Sequence, residues 1–246
     1  EWSFYELPNI PIYETKLPKD ILDTLWRYIG KATERLNHRL AGNIDESNNS
    51  SLSNGDGVLT WKDLSSEGNH LTNQTGNTPV LDKGNKKVVF NAGSLKGILS
   101  SPIVAGPQTY ICLVRNRSQG NSNAGIHGIV SHSGYGGIYA TTEAFILDGE
   151  GSSANNSSNT NSAPDQWSIL VGLYSDNQTG GSKILMNGVL HQSFNGSGAS
   201  ISSGSILEVG GRTADNYPDR VFTGDIREVF VFDRELSAIE TMKANY

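Results

Sequence analysis

Lys183-Ile-Leu-Met-Asn-Gly-Val-Leu190 decides the fold. Asn187-Gly188 separates two strand-like runs, Lys183 to Met186 and Val189 to Phe194. A two-residue type I′ turn needs positive φ at both positions, which Asn and Gly tolerate best, so this stretch reads as a β-hairpin. Before it stands Trp167-Ser-Ile-Leu-Val-Gly-Leu-Tyr174, and after it Phe222-Thr-Gly-Asp-Ile-Arg-Glu-Val-Phe-Val-Phe-Asp-Arg-Glu-Leu-Ser237. Each is a strand that ends in turn residues, and together they predict antiparallel sheet.

Working outward, further strands are predicted at 58–61, 88–91, 97–99, 109–115, 128–131, 137–140, 144–147 and 205–209, with the final strand at 225–232. About a dozen strands joined by Gly, Asn and Ser turns imply an all-β, two-sheet antiparallel jelly roll. The composition agrees: 28 Gly in 246 residues, with 36% hydrophobic and 18% charged side chains. The Gly/Ser/Asn tract 149–165 reads as a surface loop.

The formal charge is −6 and the basic residues are scattered, so the electrostatic footprint of a nucleic-acid binder is absent. No run approaches the roughly eighteen apolar residues of a membrane span, which predicts a soluble chain without membrane insertion. Cys112 is the single cysteine, too few for an internal disulfide, and Tyr110-Ile-Cys-Leu-Val114 reads as a buried strand. The eight Asn-x-Ser/Thr sequons reflect Asn/Ser-rich loops.

The first residues behave differently. Pro8, Pro11 and Pro18 make residues 1–17 an extended arm. Thereafter Leu22, Leu25, Ile29, Ala32, Leu36 and Leu40 recur every three or four residues, one face of an amphipathic helix closed by Gly42. That stripe can pack on the sandwich or form the seam of a helical bundle between chains. The expected layout is an arm plus helix for docking or oligomerisation over 1–45, a linker over 46–56, and a β-sandwich over 57–246.

The order of these pieces resembles the laminin-G-like, concanavalin A-like jelly rolls, in which a Trp-opened strand leads to a V-N-G hairpin and then to F-x-G-x-I-x-E-V-x-V-F-x-R-x-L-S. Gly57-Val-Leu-Thr-Trp-Lys-Asp63 with Gly68-Asn69 is similar to the family's W-x-D-x-S-G-x-G-N opening, and Val88-Val-Phe90 to its V-x-F strand. The resemblance runs from 57 to 240 and implies a surface-binding module. It also implies calcium as the one ion of interest, with Asp148, Glu150, Asp215 and Asp219 as oxygen donors. Separately, Leu7-Pro-Asn-Ile-Pro-Ile-Tyr-Glu-Thr-Lys-Leu-Pro-Lys-Asp20 and Leu40-Ala-Gly-Asn-Ile44 resemble an N-terminal segment of marine phage proteins that often precedes an iron/2-oxoglutarate oxygenase. None of the five histidines is followed two residues later by a carboxylate, so that iron site is not carried over.

The sequence carries none of the catalytic patterns that this fold or its common alternatives use. Retaining glycosidases of this fold place carboxylates as E-x-D-x-x-E, a spacing the chain lacks. Asp225 and Glu228 stand three apart on a predicted strand, hence on opposite faces. No G-x-S-x-G elbow, P-loop or zinc spacing occurs. The expectation is therefore a non-enzyme without organic cofactor.

Binding is the better reading. Gly210–Arg220 combines Arg212 and Arg220 as donors, Asp215 and Asp219 as acceptors and Tyr217 as a stacking face, the mixture that sugars require. His132 and Tyr135, on an expected surface hairpin, form a second patch. The sequence reading is a homo-oligomeric virion surface protein of a phage, as tail fibre, appendage or capsid decoration. Residues 1–45 would meet other virion proteins and the jelly roll would meet host glycans. The alternatives are a purely structural virion protein and a secreted bacterial carbohydrate-binding module, the latter extracellular.

Overall fold

In a computed structural model of the chain, the described residues are 38–43, 52–63, 65, 68–98, 106–117, 127–132, 136–141, 144–148, 158–161, 165–175, 181–194, 206–212 and 220–236; at 38–43, 74–76, 148, 158–161 and 194 they are described by backbone alone. They form sixteen strands: β1 (His38–Asn43), β2 (Thr60–Trp61), β3 (Leu71–Gly76), β4 (Val80–Asp82), β5 (Lys87–Asn91), β6 (Gly93–Ile98), β7 (Gln108–Asn116), β8 (His127–His132), β9 (Gly136–Ala140), β10 (Ala144–Asp148), β11 (Ser158–Asn161), β12 (Trp167–Tyr174), β13 (Ser182–Met186), β14 (Val189–Phe194), β15 (Ile206–Val209) and β16 (Thr223–Phe232). The first sheet runs β14-β13-β12-β7-β16-β5-β4, with β1 also paired to β16, and the second runs β11-β10-β9-β8-β15-β6-β3-β2. All of these strand pairs are antiparallel, the arrangement of a jelly-roll sandwich.

The hairpin that decided the fold is present. Asn187 and Gly188 have φ of 52° and 79°, the type I′ geometry. The Asn187 side-chain oxygen also accepts the Ile169 N–H at 2.9 Å, tying the turn to β12. Alternating residues of both sheets bury a shared core that includes Trp61, Leu71, Phe90, Phe145, Ile184 and Val231.

The family-like motifs turn out to be structural devices. Asp63 is buried in the turn after β2, where Oδ1 accepts the Ser65 N–H at 2.8 Å and Oδ2 accepts the Ser65 hydroxyl at 2.6 Å and the Asn69 N–H at 2.7 Å. A buried carboxylate needs such partners, and one acidic side chain here closes the whole turn. In Phe222-Thr-Gly224, a Cβ at Gly224 would collide with the Phe222 ring and the Arg115 carbonyl. Only glycine lets that ring lie across the strand.

Four expectations change. The helix expected to reach Leu40 gives way to strand by His38: β1 pairs with β16, with Leu40 opposite Val231, because the β16 edge beyond β5 offers unpaired backbone groups. The remaining stripe residues Leu22, Leu25, Ile29 and Leu36 lie outside the described residues. Within the expected linker, the Gly55 N–H donates to the Leu81 carbonyl and the Leu81 N–H to that of Asp56, each at 2.8 Å, so residues 55 and 56 are stitched to β4. The 149–165 tract carries β11 on β10, a pairing made by backbone groups with little help from the low strand propensity of Ser-Asn-Thr-Asn. Finally, a β-bulge between Ile226 and Glu228 returns Glu228 to the face of Asp225, because it opposes Leu113 while Asp225 opposes Arg115.

Replacing Asp63 by Ala orphans three donors in this turn and is expected to cost about 3 kcal/mol, read from urea unfolding. Burial pushes the Cys112 thiol and the Tyr110 phenol above their ordinary values of 9.0 and 10.0. The unfolded chain therefore ionises first at these two groups, so the stability they contribute is fully present below about pH 9 and is lost as pH rises above it. Urea titrations between about pH 8 and pH 11 should show that fall, made shallower by Cys112→Ala.

Candidate functional site

The outer face of the second sheet carries a buried polar set. In β15, Leu207 and Val209 enter the core and Glu208 points the other way, yet Glu208 is 0% exposed. The β-ladder register sets Glu208 between Lys96 of β6 and Ser131 of β8, and Ser131 beside Gly137 of β9. Tyr139 lies on this same face, because its neighbours Ile138 and Ala140 belong to the core.

Arg212 joins this set. Its guanidinium lies 4.9 Å from the centroid of the Tyr139 ring, a cation–π contact strengthened by burial. The Tyr139 hydroxyl donates to the Gly136 carbonyl at 3.0 Å, which fixes the ring, and the Ser131 hydroxyl donates to the Gly211 carbonyl at 2.7 Å. Gly211 must be glycine here, since a Cβ would strike the Glu208 carboxylate and Ser94. The Ser94 hydroxyl is buried with no hydrogen-bond partner among the described residues.

The same strand end makes a neck. Gly211 bridges Val221, the Arg212 N–H donates to the Arg220 carbonyl at 3.0 Å, and His127 Nδ1 lies 2.9 Å from the Val221 carbonyl. Residues 212 and 220 are therefore held side by side at this end of the sheet. The structure thus brings Arg212 and Arg220 together, with Arg212 buried and Arg220 half-buried. Asp215, Tyr217 and Asp219 lie beyond the neck, outside the described residues.

His132 is elsewhere. It pairs with Leu207, faces the core, is 1% exposed, and its ring stacks 6.5 Å from that of Tyr110. A Cβ on Gly136 would collide with the imidazole, so a glycine makes room for it. Tyr135 is outside the described residues. Of the proposed calcium donors, only the Asp148 backbone is described, and no group of three His, Cys, Asp or Glu side chains suited to a metal gathers among the described residues.

Sequence reasoning missed Glu208, Ser131, Tyr139 and Ser94. Ile206-Leu-Glu-Val209 holds the one available signal, a charged residue at a position flanked by two apolar ones. That alternation says Glu208 faces away from the core but not that anything covers it.

Asp225 and Glu228 do not form a hydrolytic pair. Asp225 shares a face with Glu228, but its oxygens are taken up by Lys87, Arg115 and Arg117. An acid or base needs a carboxyl that can exchange its proton with substrate.

The family model of the concanavalin A-like lectin/glucanases superfamily matches residues 104–240. The chain belongs to that superfamily. Among solved structures, the chain is similar to the binding domain of botulinum neurotoxin DC in complex with rat synaptotagmin II (14% identity, TM-score 0.56, 84% of this chain and 51% of that one). It is also similar to Trypanosoma rangeli sialidase in complex with sialic acid (12% identity, TM-score 0.54, 92% and 38%). A third is botulinum neurotoxin type C, whose cell entry is dependent upon interaction with two ganglioside molecules (14%, TM-score 0.55, 87% and 51%). The chain thus spans about half or less of each of these chains, and the likeness is one of fold. No curated protein matches.

Arg212→Ala should cost about 2 kcal/mol in urea unfolding, through the lost desolvated cation–π contact. Arg212→Lys should cost less. Both should speed limited proteolysis within 213–219, because the neck is loosened.

Proposed function

We propose that the chain is a non-enzymatic glycan-attachment module whose binding edge is the Arg212–Arg220 neck on the outer face of the second sheet. One observation carries this reading: residues eight apart in sequence are fixed together by the Arg212 N–H to Arg220 carbonyl bond, with buried polar groups beneath them. Between these two anchors the sequence carries Asp215, Tyr217 and Asp219, polar and aromatic groups of the kind sugars require. Sugars bind to such shallow combinations of polar forks and an aromatic ring. Similar folds occur in the ganglioside-dependent toxin and the sialic-acid complex, in line with a saccharide ligand, and in the synaptotagmin-bound toxin domain, whose partner is a protein.

The finer reading is display on a phage virion, supported by the resemblance of the N-terminal segment to phage proteins. Many copies on one particle convert weak single-site contacts into useful avidity. Residues 1–45 would then meet other virion proteins, and an antibody to the chain would label intact particles.

The test is a glycan array and host-cell binding assay with the full chain displayed multivalently. Tyr217→Ala and Arg220→Ala are each expected to lower apparent affinity about tenfold, the loss of one stacking or charge-assisted contact, with unchanged melting temperature. Absence of binding at every valency would instead favour a structural decoration protein.

A further inference from the structure

The first sheet carries a second constellation on its outer face, opposite the neck. Asp225 of β16 is 0% exposed at its side chain. Its Oδ2 accepts Arg115 Nε at 2.6 Å and Lys87 Nζ at 3.1 Å, and its Oδ1 accepts Arg117 Nη2 at 2.6 Å. Arg115 Nη2 also pairs with Asp225, and Lys87 reaches Asp82 at 3.5 Å. Trp167, directly opposite Arg115 on β12, holds two guanidiniums close to its ring, that of Arg115 at 5.6 Å and that of Arg227 at 5.8 Å. Arg227 is fixed in turn by donating to the Lys86 carbonyl at 3.0 Å.

Three features of this arrangement exceed what burial of one carboxylate requires. A single Asp225 is matched by three cations, where one bidentate arginine would satisfy it. The carboxylate is hidden while the side chains of Arg115 and Arg117 stay 28% and 35% exposed, so an approaching molecule meets cations first. And Lys86, Lys87, Arg115, Arg117 and Arg227 outweigh the neighbouring Asp82, Asp165, Asp225 and Glu228 in a chain whose formal charge is −6. Holding the guanidiniums in place removes the side-chain ordering cost that weakens surface ion pairs. Arg117 engages Asp225 through Nη2, and its side chain stays 35% exposed, so the guanidinium is held in place and still reachable from solvent.

We infer that the Arg115–Arg117–Arg227 patch, anchored by buried Asp225 and by Trp167, is a binding site for carboxylated saccharides, uronic or sialic acid units of a host or capsular glycan. It lies on the opposite sheet from the Arg212–Arg220 neck, so it stands or falls independently of that edge. A carboxylate suits the patch because its two oxygens can accept from guanidinium N–H groups together, and a sugar ring beside it would meet the adjoining β7 and β12 strands.

The test is binding of the full chain to immobilised polyglucuronate and polysialate, with neutral dextran and dextran sulfate as comparisons, at low and at physiological salt. Retention on both carboxylated polymers, absent on dextran and weakened by salt, is expected. Arg117→Gln should weaken it about tenfold or more, for the loss of one charge-assisted contact. Arg227→Gln, which touches none of the Asp225 bonds, should weaken it with an unchanged melting temperature and so separates binding from folding. Arg220→Ala should leave it intact. Binding by both glutamine variants equal to that of the unsubstituted chain, equal retention on neutral dextran, stronger retention on dextran sulfate, or no retention at low salt would each overturn the assignment.

Discussion

The antiparallel ladder between β7 and β16 governs what every other part of the first sheet can do. In β7, Tyr110, Cys112 and Val114 enter the core, and Ile111 and Arg115 therefore face outward. In β16, Val229 and Val231 go inward and Phe230 and Phe232 outward. Register is unforgiving, because a slip of one residue would send Arg115 and Asp225 into the apolar interior. The β-bulge at Arg227 is the one break in that ladder. It brings Asp225, Arg227 and Glu228 to a single face, which strict alternation would forbid.

Much of this was legible because the sequence carries its own punctuation. Asn187-Gly188 located a hairpin, and Trp167–Tyr174 and Val189–Phe194 were bounded to the residue, since long apolar runs ending in turn residues are hard to misplace. What resisted reading was pairing driven by backbone alone. β11 and β1 are held on neighbouring strands by ladder hydrogen bonds, and neither Ser-Asn-Thr-Asn nor His-Arg-Leu-Ala-Gly-Asn has the alternation that marks a half-buried strand. The candidate site was half legible for a related reason. Arg212 and Arg220 are close in sequence and so are close at the neck, whereas His132 depended on strand parity. The bulge between Gly128 and Val130 resets that parity and turns the imidazole inward.

The motifs that identify the family describe its architecture and not its ligand. Asp63 closes a turn, Gly224 admits the Phe222 ring, and Leu236 joins the outer apolar cluster while its N–H donates to the Thr109 hydroxyl at 3.0 Å. None of these groups reaches solvent with a function to perform. The chemistry that can discriminate a partner sits between the motifs, at positions such as Arg117, Arg212 and Arg220, where packing leaves the choice of residue open.

Charge placement separates those positions from ordinary surface. On a chain with formal charge −6, scattered arginines in water would contribute little to binding, since each exposed pair is worth well under about 1 kcal/mol. Arg212 is instead laid on a buried tyrosine, and Arg115 and Arg117 on a buried aspartate. In both places the fold has already met the cost of ordering the guanidinium before a partner arrives. Any contact made through these guanidiniums then retains more of its interaction energy, because less of it is spent on ordering them.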